Sequence, residues 1–206
     1  LFFALLSPFF WAIVHILDEH CVEWIFERPA LGVVTSSIAS SMVFLALPLF
    51  PRSVLTEIPA FPIIGLALLT GALIQLSQAF YFEALALSEA GIVAAYWNIT
   101  PILLPIVSYV FLGTSLGLIH YVGCSVLIIA SICFCLIDNS GSGKWQTLWL
   151  MAFASSLQVA AILLEKYLFN HGNFESIFLM ITMGIMISGL LPLLIRRVRQ
   201  LVINVF

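Results

Sequence analysis

The chain alternates long apolar runs with short polar breaks. Apolar residues dominate seven stretches, roughly 1–18, 32–50, 61–83, 91–112, 117–137, 146–168 and 174–195. About 20 apolar residues carry a helix across a bilayer, so each stretch predicts a membrane span. The breaks carry turn chemistry. "DEHCVEWIFERP" follows the first stretch and "PRSVLTEIP" the second, while "ALSEAG" and "GTSLG" are short enough for tight turns. "DNSGSGK", 138–144, is rich in Gly and Ser and reads as a flexible linker. The pattern predicts an all-α integral membrane protein, a polytopic bundle of about seven transmembrane helices.

Polar residues within the spans are not scattered. In the fourth span Gly91, Ala94, Asn98, Pro101, Pro105 and Ser108 recur every three or four residues, which is one face of a helix. The remaining faces carry Ile, Leu and Val. Pro101 deprives the carbonyl of Trp97 of its helical partner, and Pro105 does the same to Pro101. Comparable faces are Gly71, Gln75, Gln78 and Tyr81 in the third span, Ser7, Trp11, His15 and Asp18 in the first, and Ser155, Gln158 and Glu165 in the sixth.

A polar group inside a membrane is tolerated where it is paired or faces a cavity. Four polar faces turned toward one another predict a central cavity near the midplane. Its expected lining is Trp11, His15, Gln75, Gln78, Tyr81, Trp97, Asn98, Pro101, Pro105 and Gln158. The plainer reading is that the amides bridge neighbouring helices and the prolines shape a bend. Asp18, Glu83, Glu89 and Glu165 lie near span ends, where a carboxylate is ordinarily solvated. His15 sits one turn deeper and is the better candidate for titration. Gly32, Ser36 and Ser40 form a small-residue ridge suited to helix packing.

Composition fixes the class. Hydrophobic residues make up 63% of the chain and charged residues 8%, against roughly 25% charged in a soluble domain. Mean hydropathy is +1.18. No soluble domain of this size hides so much apolar surface, so the bilayer is the expected partner. A net charge of −3 without a basic patch excludes a nucleic-acid role. Cys133 and Cys135 point to different faces of a helix, so they make no metal pair, and Cys21 alone lies near a water boundary. No H-E-x-x-H, G-x-S-x-G or P-loop sequence is present. The chain is therefore read as no enzyme, with no cofactor. It begins at Leu1 without a basic leader, and no A-x-A site follows the first apolar run, so a signal peptide is not predicted. The chain is expected to be a piece of a longer one.

Charge also bears on orientation. With residue 1 outside, Arg28, Lys144, Arg196, Arg197 and Arg199 fall inside, and only Arg52 and Lys166 fall outside. The positive-inside rule then predicts an outside N-terminus.

An internal repeat is also suggested. "WAIVHILDEHCVEWIF" (11–26) is similar to "QVAAILLEKYLFNHGN" (158–173), which places Leu17 on Leu164 and Asp18 on Glu165. Residues 1–137 then form one five-span unit, 138–144 a linker, and 145–206 the first two spans of a second unit. Five spans is an odd number, so a second copy enters the membrane inverted, a common build for secondary transporters.

Residues 79–134 carry a resemblance to a known family. "YFEAL" ends the third span with Tyr81, Ala84 and Leu85. An Ala-rich fourth span follows, with Ala94, Ala95 and mid-span Pro101. Leu112 and Gly113 make the next turn, and Gly123 lies in the fifth span. This order resembles the EamA-type members of the drug/metabolite transporter superfamily. Where that family often has Glu after "L-G", this chain has Thr114. The resemblance implies a ten-helix carrier of two inverted five-helix repeats with both ends in the cytoplasm, opposite to the charge count, and three spans beyond those present. It further implies alternating-access transport, in the efflux direction, of small organic metabolites in the cell's inner (plasma) membrane. The competing class is a non-transporting helical subunit or partner-binding membrane protein, whose polar faces would turn toward another protein.

Overall fold

The structure, a computed structural model, describes residues 2–25, 28–49, 59–113, 117–137 and 144–205. Most of the described residues are helical, with no strand among them. We label the helices α1 (Phe2–Trp24), α2 (Pro29–Ser41), α3 (Phe61–Leu85), α4 (Ala90–Trp97), α5 (Ile99–Leu112), α6 (Leu118–Ile137), α7 (Lys144–His171), α8 (Phe174–Leu190) and α9 (Arg196–Val205). Tighter 3-10 turns, Met42–Leu49 and Leu191–Leu194, extend α2 and α8.

Over its described residues each expected span falls on helix, with one break, at Asn98 in the fourth. Five segments among the described residues are long and apolar enough to cross a membrane: Pro29–Pro48, Phe61–Leu85, Ala90–Phe111, Trp145–His171 and Phe174–Leu194. α1 and α6, of 23 and 20 residues, are of spanning length too. The protein is an all-α, polytopic membrane protein. Most of the linker, 138–143, lies outside the described residues, as do Arg52 and Thr114 and the side chains of Ser7 and Cys135.

Local sequence explains the helix ends. Pro29 opens α2, where its missing N–H costs nothing. The Asn173 side chain caps α8 by accepting from the Glu175 N–H at 3.2 Å. Gly113 closes α5 with φ +62°, a left-handed conformation that glycine adopts freely. α1 runs six residues past the break expected after Asp18. No helix breaker follows it, and the carboxylates of Asp18 and Glu19 both find partners on other helices. α9 had no counterpart in the seven-span reading, because ten residues starting from Arg196 are too polar to register as a span.

The packing centres on α3. α7 runs antiparallel to it, with the Ser77 hydroxyl donating to the Ala154 carbonyl near one end and Ala67 beside Leu168 near the other. α8 runs parallel to α3 at very close range. A Cβ on Gly71 would strike the backbone of Ile181, Gly184 and Ile185, and one on Gly184 would strike the backbone of Leu68. Two glycines thus let two membrane helices touch backbone to backbone. α2 fills in beside α3 and α8, where the Ser37 hydroxyl reaches the Ile185 carbonyl at 3.3 Å. α5 and α6 lie at the margin, with Ile106, Val110, Phe111, Leu118 and Ile119 exposed to the surroundings. In a bilayer such a face meets lipid.

Candidate functional site

Between α1 and α4 lies an open groove of about 530 Å³, within the range of small-molecule sites. One wall is Trp11, Ala12, His15 and Ile16; the other is Gly91, Ala94, Trp97 and Asn98 with Ala90 at its head. Both sets follow the helical spacing of three and four. Gly91 and Ala94 add little bulk to the α4 wall, and the two tryptophans are the largest side chains of the lining. Among the described residues, no Asp, Glu, Lys or Arg side chain lines this groove.

Its floor is aromatic. The His15 ring centroid lies 5.8 Å from Trp11, 5.4 Å from Tyr81 and 6.5 Å from Trp97. Tyr81 and Trp97 meet edge to face at 5.4 Å and 83°, an arrangement the ring quadrupoles favour. Tyr81, only 2% exposed, is the fixed centre. Its hydroxyl donates to Asp18 Oδ2 at 3.1 Å and lies 2.7 Å from His15 Nδ1.

A second groove, about 360 Å³, lies on the other side of α1. Trp11 and Asp18 line it from α1, Ser36 from α2, and Gln75 and Gln78 from α3. Trp11 borders both grooves. Gln75 is 3% exposed, and its amide donates to the Val33 carbonyl at 2.8 Å and to the Ser36 hydroxyl at 3.1 Å, tying α3 to α2. Gln78 is half-buried.

The structure therefore gathers Trp11, His15, Tyr81, Trp97 and Asn98 at the first groove and places Gln75 and Gln78 at the second. The fourth span breaks at Asn98 (φ −65°, ψ −4°), between α4 and α5, three residues before Pro101. Pro101 has no N–H to give the Trp97 carbonyl, so the ladder fails there. Pro105 is accommodated inside α5. Gln158 sits on α7, its amide oxygen buried and without a hydrogen-bond partner in the structure.

Three contacts went unread in the sequence. Asp18 is the partner of Tyr81, although its place on the polar face of α1 was a signal. Glu19 Oε1 accepts from the Ala90 N–H at 2.7 Å and so caps α4 from another helix. The Cys124 thiol meets the Pro101 carbonyl. Among the described residues, no three His, Cys, Asp or Glu side chains come together to hold a metal ion.

Comparison with known proteins gives one match. Residues 1–137 match the sequence profile of the EamA-like transporter family. No curated protein and no solved structure matches the chain.

Proposed function

The chain belongs to the EamA-like transporter family, and from that membership we propose that it exports small organic metabolites across the cell's inner (plasma) membrane by alternating access. The observation that carries the reading is the convergence of Trp11, His15, Trp97 and Asn98 on one groove, with the His15 and Trp97 rings seated against buried Tyr81 of α3. Trp11 and Trp97 offer stacking surface, and His15 and Asn98 are the polar positions of the lining. With no Asp, Glu, Lys or Arg among the described lining residues, the matching cargo is a neutral organic molecule with an aromatic or apolar body and one or two hydrogen-bonding groups. It passes through chemically unchanged.

The proposal includes the architecture. Residues 1–137 are the first of two inverted five-helix units, and α7 and α8 open the second. The break at Asn98 lets α4 and α5 change their mutual angle as the groove turns from one side to the other.

Two measurements test this. In the first, vesicles containing the chain are screened for flux of neutral aromatic metabolites; Asn98→Leu and Trp97→Ala should each cut flux at least fivefold. Full flux in both variants overturns the assignment. In the second, Asn98→Cys and Gln78→Cys are placed in a background lacking the four native cysteines and treated with a membrane-impermeant maleimide. A carrier admits the reagent to both positions. Protection of both favours the competing class, in which these faces are covered by another protein.

A further inference from the structure

Tyr81 holds one hydroxyl hydrogen, and Asp18 Oδ2 receives it. The 2.7 Å contact between the same oxygen and His15 Nδ1 is then made by an Nδ1–H donated from the imidazole. This fixes the tautomer and leaves Nε2 as the acceptor nitrogen. His15 lines the first groove, and Asp18 lines the second. Tyr81, almost wholly buried, joins them. The three groups form an unbroken line of hydrogen bonds from one groove to the other.

We propose that His15, Tyr81 and Asp18 are a proton path between the two grooves, by which the chain moves protons. The proposal rests on the carrier reading above and adds the proton to the species carried. A proton from the first groove binds His15 Nε2. The Nδ1 proton passes to the Tyr81 oxygen, and the original Tyr81 hydroxyl hydrogen passes to Asp18 Oδ2. One proton has entered and one carboxylic acid has formed. His15 and Tyr81 are again neutral. Asp18 then releases its proton to the second groove. Rotation of the Tyr81 hydroxyl and tautomer exchange at His15 restore the start.

The surroundings suit this use. Glu19, next to Asp18, is committed to the Ala90 N–H. Cys21 from α1, Thr35 and Ser36 from α2, and Gln75 and Gln78 from α3 also line the second groove; none carries a fixed positive charge. Trp11 and Trp97 flank His15 with uncharged rings. Among the described residues, no Lys or Arg lines either groove. A proton is a positive charge that Asp18 can take up without such a partner. Exchange at the two ends goes to different grooves, and the buried Tyr81 hydroxyl is the junction between them.

The test uses the chain in liposomes loaded with the pH dye pyranine, with valinomycin and potassium present to clamp the potential. After a downward step in external pH, wild-type protein should admit protons faster than protein-free liposomes. Tyr81→Phe keeps the ring and removes the hydroxyl, and should reduce the protein-dependent rate at least tenfold. Asp18→Asn removes the acceptor and should do the same, providing a second variant if Tyr81→Phe folds poorly. Wild-type proton entry in both variants overturns the path, and so does absence of protein-dependent entry in the wild type. The maleimide labelling described above is independent of this result. Labelled Asn98→Cys together with unaffected proton entry removes the proton path and leaves the carrier. Protected Asn98→Cys together with entry that depends on Tyr81 removes the carrier and leaves a proton path.

Discussion

The thiol of Cys124, on α6, donates to the carbonyl oxygen of Pro101, on α5, at 3.4 Å. That carbonyl is the one that Pro105, four residues later, is unable to serve. A neighbouring helix thus supplies a hydrogen bond to the carbonyl that the proline sequence leaves open, and α6 gains a polar attachment to α5. Cys124→Ala should lower stability by about 0.5–1 kcal/mol, the lower part of the range for a hydrogen bond because S–H is a weak donor. Cys124→Ser should retain most of it. Cys133, exposed, is the comparison site, where Ala should be neutral. Thermal unfolding in detergent measures all three.

The crossing of α3 and α8 leaves no room for a side chain at Gly71 or Gly184. Gly71→Ala and Gly184→Ala should each destabilise by about 1–3 kcal/mol, the usual cost of overpacking. The colliding atoms are backbone, so a rotamer change gives no relief. Gly65 lies on the same helix as Gly71 with nothing within 4 Å of an added Cβ. Gly65→Ala should be neutral or slightly stabilising. Equal unfolding midpoints for all three variants would contradict the backbone contact.

Gln75 and Gln78 share a face in the sequence but have different surroundings. Gln75→Leu abandons the Val33 carbonyl and the Ser36 hydroxyl in a buried site and should cost about 1–2 kcal/mol, as for hydrogen bonds between membrane helices. Gln78→Leu, at the half-buried wall of the second groove, should change stability by less than about 0.5 kcal/mol. Unfolding curves of the two variants, taken side by side, check the ordering.

Glu19 supplies α4 with the cap that its own Glu89 does not make. Glu19→Ala should cost about 0.5–2 kcal/mol, the range for losing a helix cap. Glu19→Gln keeps an acceptor oxygen and should cost less. Hydrogen exchange at the Ala90 amide offers a local readout, which should speed up in Glu19→Ala.

The spans were legible because burial in lipid writes itself as unbroken apolar runs of about 20 residues. The polar faces were legible for a related reason: a hydrogen-bonding group in a membrane helix is conspicuous. The placing of Trp11 with His15 on α1, and of Gly91 and Ala94 with Asn98 on the fourth span, follows from that periodicity. What one helix's periodicity lacks is the identity of the helix opposite. Gln75 and Tyr81 share a face of α3 by spacing, yet Gln75 meets α2 and Tyr81 meets α1, because the face is wide enough to touch both. Asp18 and Glu19 look like a polar break in the sequence, since two adjacent carboxylates resemble a loop until their partners on α3 and α4 are known. Gly71 likewise carries no mark of its close approach to α8; glycine is equally at home in a loose turn.

The bond from Glu19 to Ala90 has a mechanical side. It pins the first residue of α4 to α1, while the other end of α4 meets a joint at Asn98. An eight-residue helix is too short to hold its shape alone. The α4 wall of the first groove is therefore set from outside: by the Glu19 carboxylate at its head, by Ile92, Val93 and Ala95 buried behind it, and by Trp97 packed on Tyr81 at its foot.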